Sequence, residues 1–436
     1  MKLIKVKNNI DVKYLFNTIW LLSEKSLQII TNFIVVIFLS RYLGPNDYGA
    51  YTYSQSFIGM FLALSTLGLE VVLVKELVKG IFDRKNIIGT ALVLKFTASS
   101  FSSVIILLII YFNLVDAHTE KLIIIMLGLV FFNNFSLAID TYFQSEVKSK
   151  ITSKIRMYVS IMVSLSKLYL IYLGVSIEYF CTLLTAESLI IFFLYIRALK
   201  SYTGDCNYKL HFSFDVAKVL IKTSWPMMLV ALSVFIYTKI DRIMIGNMLG
   251  VERVGYYSAA VKLCESFYFI PILITQSIFP KIIKLRNDGN MEGYCNLIEN
   301  LYRTVFYISL PITLLLLFCN HEIINIIYGG EFEPASDILK VLSLSLILVS
   351  IGSVNTKILY AENYEYKYLK RSILGVVVNI TMNYLLIVRF GATGAAYATI
   401  ISLIVIHYIY DVFDKDLMRF YKFKIRCFWP RIRRNK

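Results

Sequence analysis

The length and composition of this chain are those of a protein embedded in a lipid membrane. Of its 436 residues, 57% are hydrophobic and only 17% are charged, and a soluble domain cannot bury so much apolar surface. The formal net charge of +16 would suit a nucleic-acid-binding protein. However, the basic residues collect at the two ends and in alternate loops, which argues against nucleic acid as a partner.

Apolar segments long enough to cross a bilayer follow one another along the whole chain. A membrane helix needs about 20 residues, and such segments are placed at 14–39, 47–74, 87–112, 121–145, 155–173, 177–197, 223–248, 254–279, 297–319, 335–360, 371–389 and 391–412. The sequence therefore predicts an all-α integral membrane protein with about 12 transmembrane helices. The first segment is too long for the apolar part of a signal peptide, so we interpret it as a retained anchor.

The distribution of Lys and Arg predicts the orientation of the chain in the membrane. Most of the 45 basic residues lie at the termini and in the loops 75–86, 146–154, 198–222, 280–296 and 361–370. Loops rich in Lys and Arg stay on the cytoplasmic side. Both termini are therefore predicted to be cytoplasmic, and an even number of spans agrees with that.

Two stretches near the start of each half of the chain share a motif. Residues 43–51, "LGPNDYGAY", and residues 249–257, "LGVERVGYY", both read L-G-x-x-x-x-G-x-Y. Each follows the first span of its half, and both of those spans start on the inside, so the pattern predicts a parallel repeat. We expect two six-helix lobes, 1–205 and 206–412, around a central cleft, followed by a basic-aromatic cytoplasmic tail, 413–436.

Sequence motifs for catalysis and for cofactor binding are missing. There is no G-x-x-x-x-G-K-[ST] for ATP, and "HEIIN" at 321–325 lacks the second His of a zinc protease. The six cysteines are scattered and predict neither a disulfide framework nor a metal site. An enzyme is therefore not expected, and no cofactor is predicted; an H⁺ or Na⁺ gradient remains open as the source of energy.

Charged and polar side chains inside the predicted spans are the candidates for function. A central Lys, Arg or Asp costs about 2.5–3.5 kcal/mol on insertion scales, so such residues usually face a bundle interior and mark a pathway. Lys239 and Arg242 are three positions apart and share a helix face, while Lys25, Gln28 and Asn32 form one polar stripe on the first span. We predict that these five residues bind the substrate.

Acidic residues inside the spans have two possible roles, in ion coupling or in structural pairing. Asp140, Asp241 and Glu265 are the candidates. Acids nearly balance the cations within the spans, so a strongly positive cleft is not predicted. The tail carries nine basic residues among aromatic ones from Lys415 onward, and this composition predicts that it lies on anionic lipid at the inner surface.

Four stretches of the sequence resemble one family of transporters. They are "FLSRYLGPNDYGAYTYSQSF" (38–57), "KIDRIMIGNMLG" (239–250), "AENYEYKY" (361–368) and "NITMNYLLI…GATGAAYATIIS" (379–402). In order and spacing they are similar to the Wzx-type polysaccharide repeat-unit flippases of the multidrug/oligosaccharidyl-lipid/polysaccharide exporter superfamily. The resemblance covers nearly the whole chain.

The resemblance implies a fold, a cargo and partners. The fold would be two six-helix lobes, similar to those of multidrug exporters, around a cleft that opens to each side of the bacterial inner membrane in turn. The cargo would be an undecaprenyl-diphosphate-linked oligosaccharide, moved to the periplasmic leaflet for O-antigen or capsule assembly, with a polymerase and a chain-length regulator as possible partners. Lys25, Lys239 and Arg242 match the basic cleft residues of the family by position.

Three alternatives are weighed against this interpretation. A cation-coupled multidrug exporter of the same superfamily would use Asp140 or Asp241 as its coupling site. A lipid II flippase would usually carry two further spans, and a membrane glycosyltransferase would need a larger catalytic loop than the stretches 198–222 and 320–334 provide.

Overall fold

The computed structural model describes residues 2–203 and 211–427, with side chains in the first helix described at 17, 20 and 21 and from 23 onward. Almost all of these residues are helical, and none of them belongs to a β-strand. The prediction of an all-α fold is therefore confirmed. The residues of the tail beyond 427 lie outside the described part of the chain.

Eleven helices in the described ranges are long and apolar enough to cross a membrane. Ten of them match one predicted segment each. The remaining one, Ser23–Lys79, covers the first two predicted segments, and its helical geometry is interrupted at Gly44. The chain is thus a multi-pass membrane protein, while the division into two six-helix repeats stays a prediction.

The chain forms two compact units, and the first holds residues up to Leu43 together with Ala50–Phe235. Its helices are α1 (Lys2–Ser65, apart from residues 44–49), α2 (Leu69–Lys79), α3 (Arg84–Tyr111), α4 (Ala117–Met126), α5 (Gly128–Ser145), α6 (Ser149–Tyr172), α7 (Ile177–Thr203) and the first part of α8 (Phe214–Leu249). The core of unit 1 packs Leu73, Ile88, Phe143 and Tyr195 from four different helices. Burial of such apolar faces against one another stabilises the bundle.

The second unit holds Gly44–Gly49 and all residues from Ile236 onward. Its further helices are α9 (Val251–Asn287), α10 (Met291–Phe318), α11 (Asn320–Ile327), α12 (Ala335–Leu342), α13 (Ser345–Ala361), α14 (Glu365–Phe390), α15 (Ala392–Ile404), α16 (Tyr410–Phe413) and α17 (Met418–Cys427), with a π-helical turn at Val405–Ile409 between α15 and α16. Tyr294, Tyr302, Ile351 and Phe420 lie in its core. The short tail helix α17 thus contributes to the core of unit 2.

The two copies of the L-G-x-x-x-x-G-x-Y motif pack against each other inside unit 2. A Cβ atom on Gly49 would lie 1.8 Å from the carbonyl oxygen of Val251, and a Cβ atom on Gly255 would lie 2.0 Å from that of Pro45. Each copy therefore places its second glycine on the backbone of the other copy. Only glycine permits this separation, which gives a physical reason for the motif.

We expect Gly255→Ala to destabilise unit 2, because its methyl group would meet backbone atoms that have no room to move. Overpacking of this kind costs about 1–3 kcal/mol, occasionally more. The measurement is the thermal aggregation midpoint of the purified protein in detergent, which should fall by several degrees. Gly330→Ala is the control, since nothing lies within 4 Å of a Cβ atom there, and an equal loss in both variants would contradict the close packing.

Candidate ion and substrate site

A buried carboxylate, Asp241, lies at the centre of a polar cluster in unit 2. It is on α8 with 3% of its surface exposed. Its Oδ1 accepts a hydrogen bond from Asn383 Nδ2 at 2.6 Å, and its Oδ2 accepts from Tyr257 OH at 2.6 Å and from Thr399 Oγ1 at 2.9 Å. Helices α8, α9, α14 and α15 each supply one of these four residues. The cluster therefore ties the four helices together.

No cation is paired with Asp241 among the residues that the structure describes, because its three partners are all neutral donors. The three donors stabilise the buried carboxylate, and a bound positive ion would compensate its charge. Next to it, the buried Oδ1 of Asn383 has no hydrogen-bond donor, and Asn379 Oδ1 lies close by, 3.1 Å from Asn383 Nδ2. Carboxylate, amide and hydroxyl oxygens are the ligands that hard cations prefer.

Glu265 on α9 lies next to both cations of the predicted cationic face of α8. Lys239 Nζ donates to Glu265 Oε1 at 2.7 Å, and Arg242 Nη2 lies 3.9 Å from the same oxygen. Arg242 also donates from Nε to Ser258 Oγ at 3.1 Å. The side chains of Lys239 and Glu265 are 28% exposed and that of Arg242 is 9% exposed. The group of two cations and one acid therefore keeps a net charge of +1 and stays partly accessible.

A cavity of about 360 Å³ opens within unit 2 beside both groups. Asp241 and Glu265 form part of its wall, and Tyr237, Tyr257 and Tyr268 line it as well. Cavities of this size that are mostly apolar with a few polar groups are typical of small-ligand sites. The structure thus brings two of the sequence-predicted acids into the wall of one cavity.

The remaining predicted residues lie in unit 1. Arg156 on α6 donates from Nη2 to Asp140 Oδ2 at 3.0 Å and lies 2.7 Å from Glu24 Oε1 through its Nε. Asp140 is therefore in a structural ion pair, one of the two roles that the sequence left open. Along α1, the side chain of Gln28 is partly buried and those of Lys25 and Asn32 are exposed.

Lys95 on α3 is buried without an ion-pair partner at hydrogen-bonding distance in the described part of unit 1. Its exposed fraction is 0%, and its Nζ has no hydrogen bond. A buried ammonium in this state is a cost to the fold. Lys95 lies within the predicted span 87–112, but the sequence does not show whether its side chain is paired.

We expect Lys95→Met to stabilise the protein by about 1–3 kcal/mol, because an apolar chain of similar length replaces an unpaired buried charge. The measurement is the thermal midpoint in detergent. Lys367→Met is the contrasting variant, since Lys367 Nζ lies 2.6 Å from both Asp414 and Asp416, and it should not gain stability. A lower midpoint for Lys95→Met would mean that Lys95 has a partner that stabilises the fold.

Sequence reasoning did not assign Tyr257 and Thr399 to the site. Thr399 lies 158 residues from Asp241 in the chain and Tyr257 lies on the next helix, and neither residue type is unusual in a membrane helix. The signal that could have led to them is the pair Asn379 and Asn383, four positions apart on one face of α14, because such amides in a membrane helix need polar partners. A search for those partners leads to Asp241.

Comparison with known proteins identifies the family. The family described as "Polysaccharide biosynthesis protein" matches residues 38–337. A probable low-salt glycan biosynthesis flippase of Haloferax volcanii is 22% identical over 375 residues, covering 85% of this chain and 77% of the relative. A putative O-antigen transporter of Shigella flexneri is 22% identical over 400 residues, covering 87% and 92%. The resemblance to polysaccharide repeat-unit flippases is thereby confirmed.

Two solved transporter structures have a fold similar to that of this chain. A lipid II flippase in an inward closed conformation aligns with a TM-score of 0.73 at 16% identity, covering 95% of this chain and 91% of that one. A multidrug exporter in an inward-facing conformation aligns with a TM-score of 0.65 at 15% identity, covering 92% and 94%. At such identities the likeness shows the fold alone. The match over residues 38–337 shows the family: this chain belongs to the polysaccharide biosynthesis proteins.

Proposed function

We propose that this protein is a flippase that moves undecaprenyl-diphosphate-linked oligosaccharide repeat units from the cytoplasmic to the periplasmic leaflet. The product would feed O-antigen or capsule assembly. The family match and the flippase and O-antigen transporter relatives support the class of cargo. Since the chain has the features of a transporter and no catalytic motif was recognised in its sequence, we assign it no enzymatic step.

A physical barrier makes such a protein necessary. An oligosaccharide with a diphosphate carries many polar groups, and each one left unpaired in hydrocarbon costs several kcal/mol. A polar passage through the protein removes that cost while the lipid tail stays in the bilayer. Alternating access by rocking of two helical bundles would expose the passage to each side in turn.

The observation that carries the energetic part of the proposal is the buried Asp241, whose partners in the described part of the chain are three neutral donors. Binding of H⁺ or Na⁺ at this carboxylate neutralises it, and release leaves it charged. Because Asp241 ties α8 to α9, α14 and α15, its charge state acts on the packing of four helices. We infer that unit 2 couples an ion gradient to transport at this residue, with Lys239 and Arg242 meeting the anionic part of the cargo.

The test of the function is deletion of the gene, followed by complementation with the intact chain. We expect the deletion to abolish surface polysaccharide and to leave lipid-linked repeat units exposed on the inner leaflet, and complementation to reverse both effects. Normal surface polysaccharide in the deletion strain would overturn the proposal. A reporter fused to either terminus tests the proposed inner-membrane topology, in which both ends are cytoplasmic.

A second candidate is export of lipophilic cations, as the similar fold of multidrug exporters allows. The specific observation in its favour is that two acids and three tyrosines line the cavity of unit 2, since aromatic faces and carboxylates suit organic cations. The same deletion strain distinguishes export of lipophilic cations from the flippase function. Increased sensitivity to cationic dyes with unchanged surface polysaccharide would favour this candidate over the flippase.

A further inference from the structure

The tail helix α17 is fixed to unit 2 by one fully buried lysine. Lys424 has an exposed fraction of 0%, although it lies in a helix of low hydrophobicity near the end of the chain. Its Nζ donates to the backbone carbonyl of His407 at 2.7 Å and forms an ion pair with Asp411. A charge is buried in this way only where hydrogen bonds and an opposite charge compensate its loss of hydration.

The carbonyl that Lys424 reaches lies in the π-helical turn Val405–Ile409. A π-turn shifts the register of the helix hydrogen bonds, and such turns frequently occur at functional sites. Asn355 from α13 also approaches His407, with its Nδ2 3.4 Å from the same carbonyl oxygen and 3.5 Å from the ring nitrogen Nδ1. Lys424 and Asn355 thus hold this turn from two sides.

The same His407 forms part of the wall of the 360 Å³ cavity. Its ring lies against α13, where a Cβ atom on Gly352 would be 2.3 Å from Nε2, so the ring is closely packed on that helix. A continuous chain of contacts therefore runs from Lys424 through the carbonyl and ring of His407 to the cavity. Through these contacts, a displacement of α17 would change the position of the cavity wall.

A second ion pair fixes the start of α17. Arg419 Nη2 lies 2.8 Å from Glu362 Oε1, and the Glu362 side chain is only 1% exposed. Glu362 also accepts from Tyr294 OH at 2.7 Å and from Arg286 at 3.1 Å. Together with the apolar contacts of Phe420 and Cys427, both at most 2% exposed, these pairs define the docked face of the helix.

The opposite face of α17 is basic and open. Lys422, Ile425 and Arg426 are exposed there, and no acidic residue follows Asp416 in the sequence, whereas Arg431, Arg433, Arg434 and Lys436 do. The helix begins five residues after the last membrane helix ends at Phe413, within reach of lipid headgroups. Basic residues near an anionic membrane surface gain about 1 kcal/mol each.

We propose that the open face of α17 binds an anionic lipid surface, and that this binding holds the docked face, and through Lys424 the His407 turn, in place at the cavity. The membrane is the occupant because the charge and the amphipathic pattern of the helix match a headgroup layer. Lipid composition thereby regulates the cavity of unit 2. This regulation is independent of which cargo the protein carries.

Cys427 is a natural reporter of docking. It is fully buried on the docked face, and burial raises the pKa of its thiol to about 11. Release of the helix would expose the thiol and return its pKa to about 8.5, so its thiolate fraction at neutral pH would rise about 300-fold. Alkylation of Cys427 therefore measures undocking without any assay of transport.

The experiment uses the full chain in nanodiscs, with alkylation of Cys427 by N-ethylmaleimide quantified by peptide mass spectrometry. We expect alkylation to be about tenfold slower in discs with phosphatidylglycerol than in discs of phosphatidylcholine alone, given two exposed basic residues. Lys422→Glu combined with Arg426→Glu should abolish that difference. The matched control Lys340→Glu changes an exposed lysine on α12 and should keep it.

The link to the cavity is tested by hydrogen exchange of the amides in 405–411. In discs with phosphatidylglycerol, exchange should be slower than in phosphatidylcholine, and Lys424→Gln should raise it in both. Equal alkylation in the two lipids, or protection by inorganic phosphate in phosphatidylcholine discs, would overturn the lipid surface as the partner. Unchanged exchange at 405–411 in Lys424→Gln would overturn the coupling to the cavity.

Discussion

Asp241→Ala is expected to abolish surface polysaccharide while the protein still inserts and folds. The variant removes the one acidic member of the cluster with Asn383, Tyr257 and Thr399, and with it the group that could bind a proton or a cation. We expect a loss of surface polysaccharide of up to about 150-fold in a complemented deletion strain, since coupling energies of about 1–3 kcal/mol correspond to factors of about 5–150. The measurement is surface polysaccharide per amount of protein in the membrane.

The identity of the ion follows from two further variants and a thermal measurement. Asp241→Asn keeps the shape but not the charge, so it should lose transport as well, and Asp337→Asn, an exposed acid on α12, should retain it. If Na⁺ is the ion, replacing choline by Na⁺ should raise the thermal midpoint of the native protein and not that of Asp241→Asn, because only the native site binds it. A pH-dependent midpoint without a Na⁺ effect would favour the proton. Full transport in Asp241→Asn would contradict ion coupling at this residue.

Hydropathy and length were sufficient to predict the helices, because a membrane helix must satisfy its own backbone hydrogen bonds and its length is set by the bilayer. The described helices accordingly match the predicted segments, with the first two in one run that is interrupted at Gly44. Asp241, Glu265, Lys239 and Arg242 were also found from sequence, since a charge in a membrane helix is conspicuous. What such a charge contacts depends on helix packing, which periodicity along one helix does not encode.

Two features of the structure show contacts that the sequence pattern could not predict. The acid that pairs with Lys239 is 26 residues away on α9. Asp241, which is close to Lys239 in sequence, instead accepts hydrogen bonds from residues on α14 and α15. In the tail, the composition predicted a basic-aromatic segment on lipid, yet Lys424 is buried in the protein while Lys422 and Arg426 are exposed. Burial of Lys424 but not of Lys422 in the same short helix is decided by a carbonyl at a π-turn, and a sequence pattern carries no signal for that.

Lys239→Ala combined with Arg242→Ala is expected to abolish surface polysaccharide. Variants that include the partner acid, Glu265, distinguish the two possible reasons for that loss. Removing both cations leaves Glu265 without its ion pairs, so stability should fall by about 1–3 kcal/mol, less than the cost of breaking a fully buried pair because this one is partly exposed. A loss of transport in this variant could therefore reflect either weaker packing or a missing contact with the anionic cargo. The measurements are surface polysaccharide and the thermal midpoint.

The exchange Lys239→Glu with Glu265→Lys resolves that ambiguity, because it restores an ion pair between the same two helices with its charges reversed. We expect the thermal midpoint to recover relative to Glu265→Ala, since the pair is again complementary. Transport should stay low, because the cation then projects from α9 and no longer lies on the face of α8 beside Arg242. If transport recovered together with the midpoint, the pair would be purely structural, and the cationic face would have no role in binding the cargo.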